Sequence, residues 1–387
     1  MMKRRIMNEY ILMLCTGLIL LSSCSHLVKV QMASQISSEE LLILTEQAEQ
    51  GDVDAQVWLA AIFHDEGDNN RAAYWFGRAA KQGNALAQNN LGRMYSDGQG
   101  VIKNSEQAVY WYRRAAAQDY ILAQRNLGLM YLDGLGVVQN YELAAYWFRK
   151  ASEQGDDTSQ QNLGVLYEWG WGIAQDYEQA VYWYRRAAEQ GHCYAQTNLG
   201  VMYDIGKGVE QSYEQAAYWY AKAAGQANFM AQTNLGSLYE FGKGVTQDLK
   251  QAVYWFKIAA EQDYVVAQTK LGVMYINGHG VTQSYEQAVY WFKKAAGQSH
   301  DIAQFNLGMM YQFGLGVTQS YEQAMFWYRE AARQSHSMAQ NNLGWMYYSG
   351  LGATQNYEQA AYWYKRAIAL SNTRAQANLS LLPAQYR

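Results

Sequence analysis

Apolar and polar positions recur along this chain with a fixed period of 36 residues. Trp75, Trp111, Trp147, Trp183, Trp219, Trp255, Trp291, Trp327 and Trp363 keep that spacing, and so do the glycines from Gly92 to Gly344. Self-similarity of this kind predicts an array of stacked supersecondary units, overruling the two or three globular domains that length alone suggests. Residues 192–227 show one unit. Ala195, Leu199, Met202 and Tyr203 recur at spacings of three and four, the apolar stripe of an amphipathic helix. Gly206 and Gly208 interrupt it and provide the backbone freedom of a tight reversal. Ser212, followed three residues later by Gln215, predicts an N-cap with a capping box. Ala216, Trp219, Tyr220 and Ala223 then form the apolar face of a second helix. Each unit is therefore expected to be a helix–loop–helix pair. Asn104, Asn140, Asp176, Asp248, Ser284, Ser320 and Asn356 occupy the Ser212 position elsewhere.

The ends of the array are irregular. The first full unit, residues 52–83, is four residues short in the loop between Phe63 and Arg71. Upstream, Glu39 to Gln50 matches only a second helix, and Ala375 to Leu379 only a first helix. Such incomplete units are expected to cap the array. The pattern AQxNLGxMYxxGxGV…YEQAxYWYxxAAxQG resembles the Sel-1-like repeat, a branch of the tetratricopeptide-like solenoids. The resemblance covers about residues 38–387 and implies an all-α fold, a right-handed α/α superhelical solenoid of about nine 36-residue repeats. That family often carries proline after Gly-x-Gly-Val, where this chain has Thr246, Thr282 or Thr318; the substitution softens the loop and leaves the fold expectation intact.

The start of the chain bears on location. Lys3, Arg4 and Arg5 precede an apolar run from Ile11 to Leu21, too short to span a bilayer, which needs roughly 20 residues. Leu21-Ser22-Ser23-Cys24 resembles the bacterial lipobox, which implies a signal peptide over 1–23 and lipidation of Cys24. By analogy with enterobacterial sorting, Ser25 favours the outer membrane. Residues 24–37 then form a lipidated tether, and 38–387 the solenoid. Cleavage would remove a net charge of +2 and take the chain from −4 to −6. That balance gives no reason to expect nucleic acid as a partner. Of the three cysteines, Cys15 leaves with the signal and Cys24 carries lipid, so only Cys193 remains and stability must come from packing.

Several residue groups invite a chemical reading. Aromatic residues make up 14% of the chain, and repeat positions such as Tyr203, Tyr218, Trp219 and Tyr220 are expected to face neighbouring helices. His192, His300 and His336 share one position at the turn before a first helix. They lack the i, i+4 spacing of ligands on one helix face, and Asn84, Asp156 and Asn228 fill the same slot, so capping is the expectation. Cys193 beside His192 has no third group to orient a base. The pairs Arg113–Arg114, Arg149–Lys150, Arg185–Arg186, Lys293–Lys294 and Lys365–Arg366 lie late in second helices that begin with glutamate. That arrangement complements the helix dipole on a solvated face. The asparagine before Leu-Gly, as in Asn90, Asn126 and Asn306, is expected to hold adjacent units together. No catalytic motif and no cofactor or metal site is indicated, and the chain is expected not to be an enzyme.

Positions free of stacking can differ between repeats. On the first helices they read Asn89, Arg93, Ser96 in one unit and Arg125, Leu129, Leu132 in the next. Toward the C-terminus they become Phe305, Met309, Gln312 and then Asn341, Trp345, Tyr348. By analogy with tetratricopeptide-like folds, first helices line a concave groove. Phe305, Met309, Trp345 and Tyr348, with Phe313 at the loop, are therefore expected to form an apolar groove for a protein partner. Trp169 and Trp171, flanking Gly170, are a second candidate. The resemblance implies an adaptor that binds envelope or host proteins, touching the membrane only through its lipid. A polysaccharide-binding groove is the less favoured alternative.

Overall fold

The computed structural model describes residues 37–387. Cys24 and the tether through Ile36 lie outside the described residues. Twenty α-helices run from Ser38–Glu49 to Thr373–Ser380, followed by a 3-10 turn at Ala384–Tyr386, and the described residues contain no strand. The chain divides into two compact units, one ending at Asp176 and the other spanning Tyr177–Arg387. Within each unit every helix packs against the next in sequence, the two helices of a pair more extensively than helices of successive pairs. No described helix is long and apolar enough to cross a membrane.

The repeat chemistry explains why each pair forms. In the C-terminal unit, helix Cys193–Ile205 buries Ala195, Leu199 and Met202, and helix Tyr213–Gly225 buries Ala216, Trp219, Tyr220 and Ala223. Gly200 lets them meet: a Cβ there would lie 2.7 Å from the Tyr220 ring. Gly206 ends the first helix in the left-handed region, with φ 67. Gly208, at φ 68, sits so close to the Tyr177 carbonyl that a side chain could not be placed there. The glycine-loop motif is thus a packing joint between repeats as well as a turn.

Seven of the predicted caps form. Asn104, Asn140, Ser212, Asp248, Ser284, Ser320 and Asn356 each accept a bond from the backbone N–H three residues on. The reciprocal capping box is made at Ser37–Glu40, whereas the Ser212 hydroxyl donates to Glu214 at 3.0 Å. The half-repeats at the two ends are helices too, Ser38–Glu49 and Thr373–Ser380.

A buried amide ladder recurs in both units and was not assigned from the sequence. In the C-terminal unit, Gln232 Nε2 donates to the Ala224 carbonyl at 3.2 Å, and its Oε1 accepts from Gln262 Nε2 at 2.8 Å. Gln196 with Gln226, Gln268 with Gln298 and Gln304 with Gln334 repeat the bond at 2.8–3.0 Å. In the N-terminal unit Gln56 with Gln82, Gln88 with Gln118 and Gln124 with Gln154 do the same. Buried amides with both ends satisfied fix the register between helices, because any slip would leave them unpaired.

Candidate partner-binding surface

Phe305 is not a surface group. It is 8% exposed, stacked on the His336 ring at 4.7 Å and 5.8 Å from the Tyr328 ring. The expectation that it lines an open groove is corrected. Its first-helix position meets the following repeat, and Asn89, Thr197, Thr233, Thr269 and Asn341 at the same position are buried as well. Met309, Trp345 and Tyr348 are half-buried. Met309 and Trp345 pack on the core around Tyr328, and Trp345 and Tyr348 on the core around Tyr364. Phe313 stands apart at 61% exposure. The structure therefore brings Phe305, Met309 and Trp345 together as packing, and leaves Phe313 at the loop edge.

The second candidate is open. Trp169 ends the helix Asp157–Trp169 and is 60% exposed; Trp171, between Gly170 and Gly172, is 42% exposed. The two rings stack at 6.1 Å with 26° between planes, and Trp171 stacks on Tyr141 at 5.5 Å and 26°. Tyr141 begins the second helix of the preceding repeat, 30 residues earlier. It was not singled out from the sequence, although a tyrosine opens most second helices and the glycine loop returns to that position.

The second helices carry a further exposed surface. Tyr218 does not face neighbouring helices: it is 49% exposed, edge-on to Trp219 at 4.9 Å, while Trp219 is 7% exposed. Consecutive residues on a helix point about 100° apart, and that alone argues against burying both on one face. Tyr74, Tyr110, Tyr146, Tyr182, Tyr254, Tyr290 and Tyr362 are exposed in the same way. The basic pairs divide their work. The first member clasps the next first helix: Arg113 donates to Tyr131 Oη at 2.7 Å and Arg185 to Tyr203 Oη at 2.8 Å. The second member covers the exposed tyrosine and the buried tryptophan beside it, as Arg114 does over Tyr110 and Trp111, and Arg186 over Tyr182 and Trp183.

The histidines act at turns. His192 Nδ1 and His336 Nδ1 accept the cap bonds from Ala195 and Ala339. His300 instead meets Thr269 Oγ1 at 3.0 Å. Burial pushes the His300 and His336 rings below the usual imidazole value. Cys193 is half-buried and burial pushes its thiol up, which disfavours the thiolate. Among the described residues no cluster of three metal-ligating side chains occurs. The asparagines bridge in places: Asn126 Nδ2 donates to Asn89 Oδ1 at 3.0 Å, whereas Asn306 bonds back within its own helix to Ile302.

Comparison with known proteins agrees with this architecture. The sequence profile of the Sel1 repeat matches nine consecutive segments, from residues 53–84 to 337–372. A crystal structure of c5321, a protective antigen present in uropathogenic Escherichia coli strains displaying an SLR fold, is 33% identical. It aligns over 89% of this chain and 91% of that one, with a TM-score of 0.60. A Sel1 repeat protein from Oxalobacter formigenes is also 33% identical, over 82% of this chain and 93% of that one, with a TM-score of 0.64. No curated protein matches the chain.

Proposed function

Because this chain belongs to the Sel1 repeat family, we propose that it is a non-enzymatic scaffold that binds partner proteins from the bacterial outer membrane, held there by lipid on Cys24. The observation that carries the scaffold reading is the run of nine matched repeats, in which the loops and second-helix surfaces are left exposed while the same set of contacts is repeated beneath them. A preformed surface loses little free energy to ordering when a partner docks. The exposed aromatics at the loop edge, Trp169, Trp171 and Phe313, are the groups offered to that partner.

The anchor rests on the Leu21-Ser22-Ser23-Cys24 motif and the basic residues ahead of it. Acyl chains bury methylenes at about 0.8 kcal/mol each, enough for stable attachment when more than one chain is present. Expression of the full chain and of Cys24→Ser in a bacterium tests it. The parent is expected in the membrane fraction with a covalent acyl label, and the variant in the soluble fraction without one. Equal membrane retention and labelling of both would overturn the anchor.

A second reading is favoured by one observation. The E. coli relative is described as a protective antigen, which suggests a surface-exposed lipoprotein that binds a host or extracellular protein. Protease treatment of intact cells separates the two. A periplasm-facing scaffold survives until the outer membrane is breached, whereas a surface-exposed one is cleaved at once.

A further inference from the structure

From Gly100 to Gly352 the second loop glycine packs on the first residue of the preceding second helix, which brings the residue between the two glycines beside that position. In two repeats of the C-terminal unit this slot places a cation on the ring beneath it. Lys207 Nζ lies 4.8 Å from the centroid of the Tyr177 ring, and Lys243 Nζ 4.9 Å from that of Tyr213. The chain caps these half-buried rings with its own cations. In the N-terminal unit the slot over Tyr141 holds Trp171, and Trp169 continues the stack outward. The aromatic column is thereby lengthened by two rings. Among the described residues, neither indole carries a cation of the chain at a distance comparable to that of Lys207 or Lys243.

The surrounding charge has one sign. Residues 151–176 contain no lysine or arginine. Glu168 and Asp176 flank the loop, whereas Glu153, Asp156 and Asp157 lie at the other end of the 13-residue helix Asp157–Trp169, about 18 Å away at 1.5 Å per residue. Two bases reach this stretch from outside. Arg125 pairs with Asp156 at 3.2 Å, and Arg149 donates to Tyr167 Oη at 2.8 Å. Two of the equivalent loops carry a lysine at the slot, Lys207 and Lys243, and the others carry Gln99, Leu135, His279, Leu315 or Leu351. Phe313, the other exposed loop aromatic singled out above, has Leu315 rather than a second ring in the slot.

From these observations we infer that the Trp169–Trp171–Tyr141 stack is the docking point for an arginine-bearing segment of a partner protein, whose guanidinium lies over the outer indole. A planar guanidinium stacks on an indole face, which attracts it through the ring quadrupole, and it sheds water more readily than an ammonium. Glu168 and Asp176, which flank the loop in sequence, add charge complementarity there. This deepens the protein-binding reading by naming the chemistry of the partner, and rests on it.

The test uses the full chain in detergent with three fluorescent Gly/Ser-spaced peptides, which carry four arginines, four lysines or four citrullines. Citrulline keeps the shape of arginine and removes the charge. The arginine peptide should bind the parent protein, the lysine peptide more weakly, and the citrulline peptide at least tenfold more weakly. The double variant Trp169→Ser, Trp171→Ser, which alters only exposed loop groups, should lose about tenfold in affinity for the arginine peptide with an unchanged melting temperature. Trp169→Phe should retain most of the binding. Equal affinity of parent and double variant, or equal binding of arginine and citrulline peptides, would overturn the assignment. So would a β-1,4-linked N-acetylglucosamine oligomer that binds the parent, is lost in the double variant and leaves the arginine peptide indifferent. None of these outcomes depends on whether Cys24 is acylated, so failure of the anchor and failure of the docking site remain distinguishable.

Discussion

Two aromatic sites were candidates for a partner, and they sit in opposite environments. Phe305 lies on a first helix beneath the next repeat, stacked on His336. Trp169 and Trp171 lie at the glycine loop, where both stay exposed and where Trp171 rests on the second helix of the preceding repeat. The difference is one of position in the unit. A first-helix side chain at the Phe305 position faces the following repeat and is buried or half-buried by it. A loop side chain can be large and stay exposed. Variation between repeats at a stacking position therefore reports repacking, and variation at the loop reports surface.

Removing the Phe305 ring is the most damaging way to probe that contrast. Phe305→Ala should destabilise the C-terminal unit by about 3–5 kcal/mol, through lost burial and the cavity left behind. Thermal or denaturant unfolding followed by circular dichroism measures this, and a parent-like melt would return Phe305 to the surface.

The ring on which Phe305 stacks gives a smaller, pH-dependent effect. Burial lowers the native pKa of His336 relative to the unfolded chain, so acidification protonates the unfolded state first. The stability tied to the neutral ring is present above the unfolded value and is lost as pH falls through the native one. Protonation also removes the Nδ1 lone pair that caps Ala339. Melting temperature should therefore fall between pH 7 and pH 5, and His336→Asn, the residue used at Asn228, should flatten part of that slope. An identical slope in the variant would show that His336 does not carry it.

The smallest effect belongs to the loop. Trp169→Ala should change stability by less than about 0.5 kcal/mol, as expected for a surface side chain outside any cap or core. A loss near that of Phe305→Ala would mean that the stack with Trp171 and Tyr141 is structural, and would erase the distinction between the two sites.

Much of the architecture was legible because each repeat restates it. The glycine at the helix crossing, the caps from Asn104 to Asn356 and the buried tryptophans all stand at fixed registers, and each register has a local physical reason. The half-repeats at the two ends were readable for the same reason. The errors came where direction, rather than identity, mattered. Tyr218 and Trp219 are both aromatic and both periodic, yet one points outward. Phe305 varies between repeats like a surface residue, yet is core. The glutamine ladder was visible as a repeated letter, but a letter does not disclose that Gln232 reaches both Ala224 and Gln262.

The sequence by itself determined the period, the helix–loop–helix unit, the caps and the family, because these depend on contacts within about one repeat. Only the tertiary structure decided which aromatic rings are covered, which bases clasp a neighbouring tyrosine, and that Trp171 continues a stack begun at Tyr141 thirty residues earlier. Those outcomes depend on how one repeat is placed on the next, and burial is a property of that placement rather than of the residue.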